Sequence, residues 1–234
     1  MNTKYRLVCL ANSIKLGGHC VAGLRADGKG WMRPVSELPE GELSTRQCTF
    51  SSGLEVVPMD LFEVEVGKHR PLKTQRENWV VSATPWRLIS RPAPVSLAGV
   101  VRSAIVSKPP LLGCQSDRRS LYDFPVDQHA ASLALVTPRH ATWQVTTSAR
   151  NKMQVRCRFE LGPTTYDVVV TDPQWKQLFR DKPFGSYENA AVGLKPTDRL
   201  LLCMSIGEPY RGFCYLLAAA VIRLDASWRR SLLT

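Results

Sequence analysis

The 234-residue chain lacks most of what membrane, secreted and catalytic proteins carry. Its start, MNTKYRLVCLANSIKLGG, has no long apolar run leading to small residues, so it does not read as a secretory leader. The longest apolar run, residues 213–222, has ten residues, against about 20 for a helix that crosses a bilayer. Both absences lead to the expectation of a cytoplasmic protein with no membrane partner. Histidine is scarce, at positions 19, 69, 129 and 140 only. No H-E-x-x-H, G-x-S-x-G or G-x-x-x-x-G-K-[ST] spacing occurs. His19 and Cys20 are adjacent, so on a strand they point to opposite sides and do not readily share a metal. The expectation is therefore no catalytic residue, no metal and no cofactor. The seven cysteines are odd in number, and none stands in a C-x-x-C pair. Cys9 and Cys203 lie in apolar runs, which suits buried free thiols in a reducing compartment.

Acidic residues are nearly absent from the middle of the chain. Residues 67–158 hold 15 Lys/Arg against four Asp/Glu, while the rest of the chain holds 16 of each. The whole net charge of +11 therefore falls in one contiguous stretch. Such an excess is the footprint of a polyanion-binding surface; its plain alternative is a solvated basic face. Composition is otherwise that of a globular protein, with 44% apolar and 22% charged residues.

Apolar periodicity predicts strands at residues 5–11, 19–24, 30–35, 60–66, 79–82 and 86–90, with an Asp27-Gly28 turn joining the second and third. Glu63 and Glu65 mark the 60–66 strand as half exposed. Residues 37–58 read as connecting structure, 95–107 as weakly helical with Ser96 as N-cap, and 108–128 as irregular. Strands follow at 133–137, 142–147, 155–161 and 166–171, with a Gly162-Pro163 turn between the last two. Asp172-Pro173 starts a helix, in which Trp175, Leu178 and Phe179 have the spacing of a buried stripe. Two last strands, 200–205 and 213–223, flank a 207–212 loop. Trp79, Trp86, Trp143 and Trp228 are further core candidates. Strands, one short helix, then two strands is the order of an OB-fold barrel. The fold class expected is all-β with short helices: two OB-like five-stranded barrels in tandem, over residues 1–125 and 126–234.

Several segments resemble bacterial dual-OB domain proteins. They are LANSIKLGGHCVAG (10–23), GWMRPVS (30–36), QRENW (75–79), VTDPQW (170–175) and SIGEPYRGFCY (205–215). The resemblance runs from residue 7 to about residue 222. It implies two OB-like barrels without catalysis, and a setting in prokaryotic defence, mobile-element or nucleic-acid-processing systems.

Residue type and predicted position then nominate contacts to nucleic acid. Lys15 precedes paired glycines whose amides approach an anion, Trp31 offers a stacking face, and Arg33 a phosphate partner. The alternative is that Gly17-Gly18 only turns the chain, Trp31 packs in a core and Arg33 holds a carboxylate. Arg150, Lys152, Arg156 and Arg158 form a basic turn feeding a strand, with the last two on one face. Tyr210, Arg211 and Phe213 lie on the predicted loop between the last two strands, a position that clasps ligand in OB folds. Nucleic acid is thus the expected partner. Two other readings stay open: an adaptor docking a partner ATPase, helicase or nuclease, and a small-nucleotide module using Gly17-Gly18 and Trp31.

Overall fold

The computed structural model describes residues 2–124, 131–149 and 151–233. Fourteen strands are described: β1 (Thr3–Lys15), β2 (Gly18–Arg25), β3 (Trp31–Val35), β4 (Leu61–His69), β5 (Asn78–Val81), β6 (Arg87–Ser90), β7 (Arg118–Ser120), β8 (Leu133–Val136), β9 (Ala141–Thr147), β10 (Met153–Leu161), β11 (Thr164–Val170), β12 (Gly185–Tyr187), β13 (Arg199–Tyr210) and β14 (Phe213–Leu224). The α-helices are short: α1 (Ala98–Arg102), α2 (Pro173–Gln177) and α3 (Ala226–Leu233). No helix among the described residues is long and apolar enough to cross a membrane.

The described chain divides into two compact units. The first holds residues 2–104, 131–132 and 226–233; the second holds 105–124 and the described residues of 133–225. The first unit is thus completed by segments that lie after the second begins.

In the first unit, β1 pairs with β2, β2 with β3, β3 in parallel with β5, β5 with β4, and β4 with β1 again. This ring is a closed five-stranded barrel, as the strand pattern predicts. Leu7 and Val8 pair on both sides, with β2 and with β4, just before β1 bends at a bulge between Cys9 and Ala11. Gly23 makes the bend possible: a Cβ there would stand 2.5 Å from the Val8 carbonyl oxygen. Inside are Leu7, Cys9, Val21, Met32, Phe62, Val64 and Trp86, with the Trp86 and Phe62 rings stacked 5.0 Å apart. Trp79 is only half buried, against Tyr5 and His69. β4 has neighbours along both edges, and Glu63 lies among Lys4, Arg6 and Arg87, so this strand offers no free edge to a partner.

Residues 37–58 contain a 3-10 turn at Thr45–Cys48, closed by a reciprocal capping box between Ser44 and Gln47. The helix expected at 95–107 is shorter. A 3-10 turn, Val95–Leu97, runs into α1, and no side chain caps it, Ser96 included.

The second unit repeats this order of pairings. β9 pairs with β10, β10 with β11, β11 in parallel with β14, β14 with β13, and β13 with β8. β8 and β9 follow each other along the chain and together take the place that β1 fills alone. The core includes Trp143, Val155, Phe159, Tyr166, Phe179 and Leu202. Asp172 caps α2 as expected, accepting from the Gln174 and Trp175 amides, and its second oxygen accepts from Val221 N at 2.9 Å. Burial raises the Asp172 carboxyl pKa; these three amides oppose the shift without cancelling it. Trp175 and Phe179 are buried, but Leu178 lies past the end of α2 and is 45% exposed. β13 and β14 are longer than predicted, and only Arg211 and Gly212 separate them. Within the stretch expected to be irregular, β7 pairs with the start of β14.

Candidate nucleic-acid interface

The predicted contact residues fall in both units. In the first, Lys15 and Gly18 pair across the turn formed by Leu16 (φ 49°) and Gly17 (φ 86°). Both left-handed values belong to a two-residue hairpin of the primed type. Gly18 serves close packing within the chain: a Cβ there would lie 2.7 Å from the Leu43 carbonyl oxygen. The Lys15 ammonium donates to the Glu40 carbonyl. Trp31 is half buried at the start of β3.

Arg33 is 4% exposed, and its guanidinium is taken up inside the unit. Nη2 lies 2.9 Å from Glu77 Oε1 and 2.9 Å from Ser132 Oγ, and Nη1 lies 3.4 Å from Cys20 Sγ. Ser132 also donates to Glu77. Burial opposes the charge on Arg33, but the facing Cys20 sulfur and Glu77 carboxylate outweigh it and raise its pKa. Arg33 is therefore a buried structural cation, the alternative weighed from the sequence.

In the second unit, strand register gathers several predicted residues on one outer face. Arg156 pairs with Val169 and Arg158 with Asp167, and Val169 neighbours Leu217 on β14. Tyr215 and Phe213 precede Leu217 by two and four residues and share its side, while Cys214 and Leu216 point into the core. Tyr210 pairs directly with Phe213 across the turn. Tyr210 is 48% exposed and Phe213 38%. The Arg211 guanidinium carbon lies 5.4 Å from the Tyr210 ring centre. Along the other edge of β14, Arg118 stands 5.1 Å from the Phe213 ring and 5.9 Å from that of Tyr215. Guanidinium groups over ring faces at these distances are cation–π pairs.

Arg156 is spoken for on this face. Its Nε donates to Asp167 Oδ1 at 2.7 Å, and Asp117 lies 3.9 Å from Nη2. Arg158 is exposed and enters no ion pair among the described residues. Lys152 is exposed in the β9–β10 turn, and Arg150 lies outside the described residues. Arg118 and Tyr215 share this face but were not among the predicted residues. Arg118 sits in the stretch expected to be irregular, although Asp117-Arg118-Arg119 is a visible charge cluster there. Tyr215 follows Phe213 by two, a spacing that places both on one face.

The basic stretch is shared between the two units. Its 14 described cations divide evenly, with seven in each unit. In the first unit, Lys68, Arg70, Lys73 and Arg76 gather at the end of β4 and on the β4–β5 connection. Arg70 is occupied there, donating to the Ser36, Leu38 and Pro39 carbonyls. Two clefts in this unit have volumes of ≈680 Å³ and ≈970 Å³; neither is lined by Gly17, Gly18 or Trp31. No group of three or more potential metal ligands occurs among the described residues.

The family model of the dual OB-containing domain matches residues 5–221. The chain belongs to this family. Its members carry the paired OB architecture that the two units display. No curated protein matches the chain. Among solved structures, a murine DNA-binding protein bound to double-stranded DNA shares 10% identity, with 96% of this chain and 100% of that one covered, at a TM-score of 0.35. The tetrameric p202 HIN2 domain shares 8% identity over 96% of each chain, at a TM-score of 0.30. The Ifi202 HINa domain in complex with 20-base-pair DNA shares 9% identity, with 96% and 98% covered, at a TM-score of 0.31. Likenesses this low carry no inference about the ligand of this chain.

Proposed function

We propose that this chain is a non-catalytic nucleic-acid-binding protein, acting on single-stranded or structured DNA or RNA in a prokaryotic defence, mobile-element or nucleic-acid-processing system. One observation carries the reading: Arg118, Tyr210, Arg211, Phe213 and Tyr215 converge at the β13–β14 turn of an OB barrel, with Arg158 on the same outer face. Burial would be the ordinary fate of these rings. Held half open beside exposed guanidinium groups, they offer stacking planes and phosphate partners together. The lysines and arginines after β4 in the first unit add charge for the backbone. We assign the binding contacts to Arg118, Lys152, Arg158, Tyr210, Arg211, Phe213 and Tyr215, and leave Arg33 out.

Fluorescence anisotropy with labelled single strands and duplexes, at low and physiological salt, tests the reading. Binding should weaken steeply as salt rises and fall at least about fivefold in the Arg118→Ala/Arg211→Ala double variant. Absence of binding at low salt, or binding indifferent to that double variant, overturns it.

A further inference from the structure

Tyr122 is 88% exposed, the most open aromatic among the described residues. Its backbone is fixed on both sides. Ser120 pairs with Phe213 on β14, and its hydroxyl accepts from Tyr122 N at 3.2 Å. Leu121 N donates to Gly212 O at 2.9 Å, tying the next turn of chain to the tip of the β13–β14 hairpin. On the far side, the Arg119 guanidinium donates to the Asp123 carbonyl and lies 4.7 Å from the ring of buried Phe124. A well-anchored segment thus presents an uncovered tyrosine beside the turn that carries Tyr210, Arg211 and Phe213.

We infer that the Ser120–Asp123 segment is a second wall of the binding site, that Tyr122 stacks on a base, and that the site takes unpaired bases in preference to duplex. This rests on the nucleic-acid reading above and narrows it. A duplex keeps its base faces stacked inside the helix and offers phosphates and groove edges; only unpaired bases present a face to a planar side chain. Three exposed rings, those of Tyr122, Tyr210 and Phe213, flank one two-residue turn. Phosphates alone would be served by lysine and arginine. Arg118 stands against the Phe213 ring and Arg211 against that of Tyr210, so phosphate partners lie beside the rings. Stacking also tolerates any base, so the preference is for strandedness and not for sequence.

At 88% exposure the Tyr122 side chain contributes little to the fold, so its removal leaves a folded protein. The test measures anisotropy of labelled twelve-nucleotide oligothymidine, oligouridine and a duplex of equal length against the full chain and its Tyr122→Ala, Tyr122→Trp and Tyr210→Ala variants. The unsubstituted chain should favour a single strand over the duplex. Tyr122→Ala should weaken that single strand about fivefold and leave the duplex unchanged, and Tyr122→Trp should restore the affinity. Single-strand affinity unaltered in Tyr122→Ala but reduced in Tyr210→Ala overturns this inference and leaves the broader reading standing. Equal losses for duplex and single strand in Tyr122→Ala also overturn it. No binding of any probe by the unsubstituted chain overturns both.

Discussion

The two barrels share an order of pairings and differ in what they display. Every described aromatic that is more than a third exposed, Tyr122, Phe184, Tyr210 and Phe213, belongs to the second unit. The first unit exposes aliphatic side chains instead, Ile14, Leu16, Leu38, Leu54 and Leu72. The connection between the fourth and fifth strands of the ring shows the same divergence. In the first barrel it runs over residues 70–77 and carries Arg70, Lys73 and Arg76; in the second it is Arg211 and Gly212 alone, flanked by rings. One fold thus supplies charge at one copy of this connection and stacking planes at the other. Conserving a ring of strand pairs constrains the core and leaves the turns open to divergence.

The cores differ too, and the largest expected effect lies there. The first barrel buries an ion pair, and the second buries a lone carboxylate met by backbone amides. Arg33→Met strands Glu77 without its partner and should cost about 3–5 kcal/mol of unfolding free energy, measured by urea titration. A loss below about 1 kcal/mol would mean that the pair is not what secures the first barrel.

Next in size, Tyr210→Ala and Phe213→Ala should each cost about 1–3 kcal/mol in single-strand binding. Removing Lys73 and Arg76 should instead lower affinity evenly across probes and flatten the salt dependence by about one unit of slope per lost phosphate contact. Similar responses to both sets would erase the distinction between the barrels.

The Asp172 carboxyl makes a pH prediction. Its pKa is raised by burial, so the fold holds the proton more tightly than the unfolded chain does. Its contribution to stability is then greatest at low pH and declines as pH rises through the ordinary carboxylate value, about 4, towards the raised one. The cost of Asp172→Ala, about 1–2 kcal/mol for a lost cap, should accordingly shrink from acid to neutral pH in parallel thermal melts.

The smallest effect concerns two turns of one type. Leu16-Gly17 and Arg211-Gly212 both place a non-glycine residue at positive φ, where a side chain costs about 1–2 kcal/mol and asparagine is tolerated best. Leu16→Asn and Arg211→Asn should each raise thermal stability by up to about 1 kcal/mol. Only the second should weaken binding. That pair of outcomes separates a residue kept for the fold from one kept for the ligand.

Much of the ring was legible in the sequence, because strands with one buried face alternate visibly and Asp172-Pro173 is a specific helix start. What escaped depends on neighbours distant in sequence. Arg33 reads as an exposed cation from its local context; Glu77 and Ser132, 44 and 99 residues later, make it a buried one. β7 has three residues and no apolar alternation, and exists because the start of β14 has a vacant edge. Ser96 was expected to cap a helix by residue type alone, but the chain enters α1 through a 3-10 turn. The charge run is a feature of the sequence, and its described cations are distributed over the two units.

The first barrel also has a consequence for how the protein comes into being. Ser132, which bonds both members of the Arg33–Glu77 pair, and α3, with Trp228 and Leu232 buried, belong to the first unit. A ribosome making this chain releases the five strands of that barrel long before it makes the helix that completes them. The nascent N-terminal half must wait, incomplete, while the second barrel is synthesised, and a premature stop near codon 225 would injure the end of the molecule that was translated first.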